Sequence, residues 1–489
     1  MSSETQVVVQ EDAVRTLTKI NYGVGAASVQ MQEFAFNAIL FFFYVNVVGL
    51  SGTLAGLATF FSLIFDAISD PLIGSISDRW QSKLGRRHPF MFAGALPLAI
   101  GFYVLFVPPA GASQAMNFIW LLVFSILVKI GITLFSVPHL AFGSELSSDF
   151  IERSKVMAYN TFFVGVGGVT AGILAYGVFF KKTPEFSNGL LNAAQYPKYA
   201  LTLAVMMFVV ILYTAFTTRG EISRLPKAPK DISRFSFKEF LADVWMALKN
   251  FNYRVTITGM LLVTVATGTY ETVALFSFTY FWELTTLQLT GFPLVVLFST
   301  LTAFIIAPKF HRRYGKKKSI LIFLVIYMVF ATAPILLRIL GIFFSNHHPA
   351  LYPILLVQTY TFYVGLGAVI ISSWSMISDI TDENELESGR RQEGIFFSTR
   401  TLASKFTVGF GHLFGGLALD YFIRFPKGGE GVIEVGSVAP DVLWRLGFFI
   451  VFTIIVSAGL AMLVYRKYNI TKEKYEETRL KLEQVKSGS

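Results

Sequence analysis

The sequence contains no cysteine, few charged residues and no motif of a known metal centre. With no cysteine among 489 residues, disulfides and thiolate metal sites are excluded. The six histidines are scattered apart from His347 and His348, and neither an HExxH motif nor a cluster of acids with metal-ligand spacing is present. We therefore expect no metal site, no cofactor and no enzymatic activity.

Apolar residues are in excess of what a soluble fold can bury. They make up 54% of the chain, only 15% of the residues are charged, and 50 residues are phenylalanine. Apolar runs of about 20 residues, each long enough to cross roughly 30 Å of hydrocarbon, recur from end to end. The first 19 residues are polar and lack the basic start and cleavage site of a signal peptide, so the first span is expected to remain. The sequence predicts an all-α integral membrane protein.

The predicted spans form two sets of six. An N-terminal bundle at 1–218 and a C-terminal bundle at 253–466 flank a hydrophilic linker at 219–252. The linker is expected to contain an amphipathic helix at 236–250, and a charged tail follows at 467–489. The predicted transmembrane helices are 20–48, 51–77, 89–107, 115–144, 154–180, 199–218, 253–283, 287–307, 318–343, 349–378, 393–423 and 440–465.

Basic residues occur in short clusters between the apolar runs, which explains the net charge of +10 by membrane topology rather than by nucleic-acid binding. The clusters follow the second, eighth and last spans, and these faces are expected to be cytoplasmic, with both termini inside. Four basic residues, Lys181, Lys182, Arg424 and Lys427, run against this assignment. The clusters after the second and eighth spans comprise Arg79, Lys83, Arg86, Arg87, Lys309, Arg312, Arg313, Lys316, Lys317 and Lys318.

A weak internal repeat relates the two sets of spans. Leu84-Gly85-Arg86-Arg87 after the second span corresponds to Tyr314-Gly315-Lys316-Lys317 after the eighth, an offset of 230 residues. Two six-helix halves with basic loops at matching places predict the major facilitator fold. The first loop also resembles the cytoplasmic gate motif of that superfamily. We expect its charged residues to pair with the fourth or eleventh helix and to hold the inner side shut: Asp78, Arg79, Arg86 and Arg87.

Ionisable groups at membrane depth are costly and are therefore candidates for function. Asp66 and Asp70 on the second span are one helical turn apart, so their carboxylates point the same way and require a cation, a proton or a base between them. An alternative is that they only brace helices. On the fourth span Lys129, Thr133 and Ser136 form one stripe, which predicts a face toward the pore rather than a lysine that extends to the interface.

The second half contributes its own charges. Arg400 and Lys405 lie deep in the eleventh span and would make the cavity basic there. Glu271 on the seventh span is a gate residue, a coupling carboxylate or a partner for one of these bases, and the sequence leaves these options open. Sugars bind to aromatic faces, for which Tyr22, Tyr159, Tyr363 and Trp374 are candidates, although most rings in such a chain face lipid or pack between helices.

At residues 65–90, FDAISDPLIGSISDRWQSKLGRRHPF, the chain resembles the glycoside-pentoside-hexuronide:cation symporters, the melibiose permease-like family of the major facilitator superfamily. The resemblance implies twelve helices and uptake of a sugar or glycoside with Na+, Li+ or H+. It also implies a cation site with Asp66, Asp70 and Thr133, and sugar or coupling roles for Arg400, Thr401 and Lys405. The similar tracts further include 22–26, 46–51, Pro138 and 377–394.

The chain departs from this family where acids and a tryptophan would be expected. Gln30 stands at the sugar-binding acid of the first span, Ser136 at the acid of the fourth, and Leu140 at a stacking tryptophan. With these acids lost and the bases kept, a sugar acid is a substrate to consider. We expect the substrate near the midplane, between Gln30, Ser136, His139 and Asn160 on one side and Trp374, Arg400, Thr401 and Lys405 on the other.

Lys129 suggests which ion is coupled. It shares the face of Thr133 and would act as a built-in cation where relatives hold sodium, so that protons drive transport. The alternative is a static brace between lysine and aspartate, with coupling elsewhere, for example at Glu271.

Two other functions compete with sugar symport. A lysolipid symporter would suit the apolar Leu140 and the many phenylalanines, whereas a multipass membrane enzyme is the weaker alternative. The expected partners are a small solute and the lipid bilayer. We expect a monomer in the plasma membrane, specifically a bacterial inner membrane.

Overall fold

The structure is a computed structural model that describes residues 13–225, 236–389, 393–428 and 431–487, and every regular element in these ranges is helical. Four transmembrane helices continue into π-helical turns, which lie at 35–40 and 43–47, 173–179, 277–281 and 418–423. The helices are α1 Thr16–Phe34, α2 Gly52–Arg79, α3 His88–Leu105, α4 Gln114–Glu145, α5 Phe150–Gly172, α6 Gln195–Thr217, α7 Phe237–Ala247, α8 Phe251–Phe276, α9 Thr286–Leu289, α10 Gly291–Ile339, α11 Leu351–Ser388, α12 Glu393–Leu417, α13 Pro440–Tyr465 and α14 Lys472–Ser487.

Twelve membrane crossings follow from these elements. Ten helical stretches are long and apolar enough to span a membrane, and α1 adds another. The twelfth comes from α10, whose 49 residues would extend roughly 74 Å if straight, more than twice a bilayer's hydrocarbon thickness. It bends at Gly315, whose φ of 74° and ψ of 161° are almost exclusive to glycine, and so crosses twice. The predicted major facilitator architecture is confirmed.

Two details of the predicted helices were wrong. The loop expected at 308–317 is helical on both sides of Gly315, and the tenth span runs to Ser388, ten residues past its predicted end at 378. The helix expected at 236–250 is α7, Phe237–Ala247. The tail also contains a helix, α14, which is held against the end of α11 by an ion pair between Lys474 and Glu383.

Close helix packing in the membrane depends on small residues. A Cβ atom on Gly94 of α3 would lie 2.5 Å from the carbonyl oxygen of Gly131 on α4, so only glycine permits this approach. Glycine also permits close packing between the two halves, because a Cβ atom on Gly52 of α2 would lie 2.8 Å from the carbonyl oxygen of Gly416 on α12. The resulting seam between α2 and α12 brings charged residues of the two halves together.

Candidate functional site: an ionic cluster beside a central cavity

The two aspartates of α2 share a hydroxyl group from α4. Thr133 Oγ1 lies 3.2 Å from Asp66 Oδ1 and 3.0 Å from Asp70 Oδ1. The i, i+4 spacing on α2 places both carboxylates on one face, and the polar stripe of α4 meets that face. The structure therefore brings together three of the residues expected at the cation site.

Lys405 of α12 connects this pair to the second half. Its Nζ lies 2.7 Å from Asp66 Oδ2 and 2.5 Å from Asp70 Oδ2. One ammonium thus bridges two carboxylates that would otherwise repel each other in a poorly screened environment. The bridge also makes the seam between α2 and α12 depend on charge as well as on packing.

Lys129 of α4 approaches the same oxygen of Asp66 and is fully buried. Its Nζ lies 3.1 Å from Glu33 Oε1 and 3.8 Å from Asp66 Oδ2, with the ring of Phe36 centred 4.9 Å away. Glu33 belongs to α1 and was not among the sequence-predicted residues. The signal was available: Glu33 is an acid inside a long apolar run, one helical turn after Gln30, where the family's acid was expected.

A cavity of about 390 Å³ lies next to this cluster, between α1 and α5 of the first half and α8, α10 and α11 of the second. Glu33 lines it, so this carboxylate faces the solute space and Lys129 at once. The volume lies within the range of small-molecule sites. The other polar and aromatic lining residues are Gln30, Phe34, Asn37, Thr161, Phe162, Tyr176, Tyr270, Glu271, Phe278, Phe292, Thr300, Phe304, Thr359 and Tyr363.

Of the residues that the sequence suggested for substrate binding, Gln30 lines this cavity, and so do Glu271 and the candidate aromatic residue Tyr363. Asn160 is partly buried next to the lining residue Thr161. Ser136 is partly buried on α4, outside the lining.

Trp374, Arg400 and Thr401 lie outside the lining of this cavity and form a group of their own. The Arg400 guanidinium is centred 3.5 Å from the Trp374 ring, and that ring stacks on Phe397 at 5.1 Å. Thr401 donates a hydrogen bond to the carbonyl oxygen of Phe397 within its own helix. Arg400 is on the stretch of α12 that precedes Lys405, closer to the helix start than the ionic cluster.

His139 packs as part of the first half. Its ring stacks between Tyr22, 4.4 Å away, and Phe135, 4.9 Å away, and its Nε2 lies 2.9 Å from the carbonyl oxygen of Tyr22. Neither His139 nor Tyr22 is in the cavity lining. The structure thus separates His139 and Tyr22 from the solute space.

The charged loop after α2 makes the contacts expected of a gate within the first half. Arg87 bonds to Glu145 of α4 at 2.7 Å and also pairs with Asp78, and Arg86 reaches Glu145 at 2.9 Å. Arg79 bonds only within α2 in the described structure, to Ser75.

A matching brace occurs in the second half, where Lys316 pairs with Asp379 of α11 at 2.5 Å. Gly85 and Gly315, which precede these bases, both have positive φ, at 70° and 74°. The positive φ of the glycine thus repeats along with the sequence.

Twelve helices in two related halves, with a cavity between them and buried charges at its wall, define a secondary transporter of the major facilitator class. A family model described as "MFS/sugar transport protein" matches residues 21–472. The chain belongs to this family, and the similarity to glycoside-pentoside-hexuronide:cation symporters is confirmed.

Three similar proteins, each named as a symporter, illustrate the comparison. YagG of Escherichia coli (strain K12), whose name describes a glycoside/cation symporter, is 24% identical over 89% of this chain and 91% of its own length. The sodium-dependent lysophosphatidylcholine symporter 1 of Mus musculus is 25% identical over 96% of this chain and 88% of its own. A crystal structure of a D-xylose-proton symporter aligns with a TM-score of 0.63 at 13% identity, over 93% of this chain and 98% of that one, which shows the fold.

Proposed function

We propose that this chain is a proton-coupled symporter of a sugar or glycoside that works by alternating access. The observation that carries the proposal is Glu33, a single carboxylate that lines the cavity and also pairs with Lys129. The ammonium of Lys129 in turn lies 3.8 Å from Asp66 Oδ2 of the aspartate pair. A solute in the cavity and an ion at the aspartates would therefore act on the same connected charges.

The charge balance of the cluster favours a proton over sodium. Three carboxylates, Glu33, Asp66 and Asp70, face two ammonium groups, Lys129 and Lys405, so the fully ionised cluster carries a charge of −1. One bound proton neutralises it. A sodium ion at Asp66 would meet both ammonium groups at close range, where screening is weak.

The same contacts suggest how solute and proton are coupled. A hydroxyl-rich solute that donates hydrogen bonds to Glu33 competes with Lys129 for this carboxylate. Lys129 would then move its contact toward Asp66, 3.8 Å away. That shift weakens the hold of Lys405 on Asp66, and Lys405 is the bridge between the halves. Occupancy of the cavity is thereby linked to the strength of the seam that must change in alternating access.

The lining supports a carbohydrate-like solute. Rings such as Phe34, Tyr270 and Tyr363 offer faces for the CH surfaces of a sugar, and Gln30 and Asn37 offer hydrogen bonds to its hydroxyls. None of the described lining residues is lysine, arginine or histidine. The sugar acid considered from the sequence is therefore less well supported, since Arg400 and Lys405 are elsewhere.

A lysolipid is the second candidate, favoured by the largely apolar lining and by the similarity to the lysophosphatidylcholine symporter. Its phosphate, however, would face Glu33 and Glu271 without a lining base. An uptake experiment separates the two.

Purified protein in liposomes is given a panel of labelled sugars and glycosides, and labelled lysophosphatidylcholine, under an imposed pH gradient or sodium gradient at fixed membrane potential. We expect sugar uptake driven by the pH gradient and insensitive to sodium, and loss of that drive in Asp66→Asn. Asp441→Asn, a change at an exposed site on α13, is the matched control and should transport normally. Sodium-stimulated uptake at constant pH, or uptake of the lysolipid alone, would overturn the proposal.

A further inference from the structure

The cavity carries negative charge from both halves. Glu33 enters from α1 and Glu271 from α8, and both side chains are partly accessible, at 37% and 30%. Described lining residues include no base that would balance them. A solute in this space therefore meets two carboxylates in surroundings of low dielectric constant, where an unpaired charge is costly.

The two carboxylates differ in what they already bind. Glu33 is paired with the ammonium of Lys129 at 3.1 Å. The imidazole of His412 on α12 lies near Glu271. Its Nε2 is 4.0 Å from Glu271 Oε2, which is too far for a hydrogen bond. Neither ring nitrogen of His412 has a hydrogen-bond partner in the described structure. Glu271 is thus the carboxylate that is free to take its countercharge from the solute.

Aromatic side chains line the cavity together with this carboxylate. Tyr270, Phe278, Phe292 and Tyr363 line the same cavity as Glu271, from the second-half elements α8, α10 and α11. Ring faces attract a cation through their quadrupole, and the attraction is larger where water is excluded. A carboxylate together with aromatic walls is the combination that recognises an ammonium group, whereas a hydroxyl group alone would leave the charge of Glu271 unbalanced.

We propose that the cavity selects a sugar that carries a protonated amino group, with Glu271 as the residue that pairs with it and determines specificity. This inference rests on the symport function proposed above. The order of affinity follows from the charge of the solute: an amino sugar binds most tightly, a neutral sugar with the same ring less tightly, and a sugar acid least tightly. Replacement of Glu271 by the isosteric glutamine removes the charge and should flatten that order.

The test uses three probes with one ring: glucosamine, glucose and glucuronate, each titrated into purified protein at pH 7.0 with binding followed by calorimetry. At this pH an amine with the pKa of an ordinary α-amino group, about 7.7–8.0, is mostly protonated. We expect the dissociation constant to rise by about tenfold or more from glucosamine to glucose and again to glucuronate. Glu271→Gln should bring the three constants within a few-fold of one another.

Glu185→Gln, a change at an exposed loop position, serves as the charge-matched control and should keep the wild-type order. If Glu271→Gln does not fold, the wild-type order alone decides the question. Glucose binding equal to or tighter than glucosamine binding would overturn the amine preference and leave sugar symport standing. If none of the three probes binds, and no other sugar of the uptake panel binds either, the proposed function itself is overturned. A wild-type preference that persists unchanged in Glu271→Gln would remove Glu271 from the role.

Discussion

Replacing Lys129 with glutamine tests whether its ammonium occupies the place of a coupling ion. Lys129 Nζ lies 3.8 Å from Asp66 Oδ2, so a sodium ion seated against that carboxylate would lie roughly 6 Å from the ammonium. At an effective dielectric constant of about 20, two unit charges at that separation repel by about 3 kcal/mol. This energy corresponds to a difference of about 100-fold in sodium affinity.

We expect Lys129→Gln to bind sodium about 100-fold more tightly than the wild type, because the repulsion from Lys129 is removed while Lys405 stays in place. Transport driven by a pH gradient should fall, since Glu33 loses its partner. Purified variants are compared by uptake of radioactive sodium into liposomes and by the thermal shift that sodium produces. Lys481→Gln, which removes an exposed lysine of α14, controls for the change in net charge.

Either of two results would contradict the role of Lys129 as a built-in cation. Robust sodium stimulation of uptake by the wild type, at constant pH and membrane potential, would mean that Lys129 does not keep sodium out. A folded Lys129→Gln protein with unchanged sodium affinity would mean that the ammonium acts only as a brace, the role considered as the alternative from the sequence.

Three further changes test the surrounding structure. Thr133→Val leaves both aspartates without their shared hydroxyl and should lower the free energy of unfolding by about 1–3 kcal/mol, measured by thermal denaturation, whereas Thr133→Ser should restore most of it. Glu145→Gln weakens the hold on Arg87 and should increase labelling of single cysteines placed in the cavity, which the cysteine-free chain makes unambiguous; unchanged labelling would contradict a gate role. Gly315→Ala forces an unfavourable φ and should cost about 1–3 kcal/mol of stability, while Gly459→Ala, in a helix with equal room for a Cβ atom, should not.

Part of the site follows from local rules. Asp66 and Asp70 share a face because they are four residues apart on a helix, and Lys129 and Thr133 share one for the same reason. Lys405 was visible as a base deep in the eleventh span, and the family resemblance implied a sugar or coupling role for it; the structure places it on both aspartates. Glu33 was not predicted because the resemblance places the acid at Gln30, although both residues line the cavity.

The separation of the cavity from Arg400 and Trp374 could not be foreseen. Both residues lie at membrane depth, and their helices are the right ones for a midplane site. Which way a side chain points depends on helix rotation, and rotation is fixed by the packing of neighbouring helices such as α8 against α12, where Gly411 and Gly268 meet. A sequence with apolar residues on all sides of a helix does not reveal this angle.

The number and approximate positions of the spans were determined by the sequence itself, because the cost of exposing polar backbone in hydrocarbon acts on each segment separately. The glycine at each basic loop was likewise visible as a repeat. Only the tertiary structure decided that Lys129 pairs with Glu33, 96 residues away in the sequence, and that Lys405 pairs with Asp70, 335 residues away. Electrostatic partners in a membrane are chosen by distance in space, and in a two-half fold that distance is set by how the helices pack.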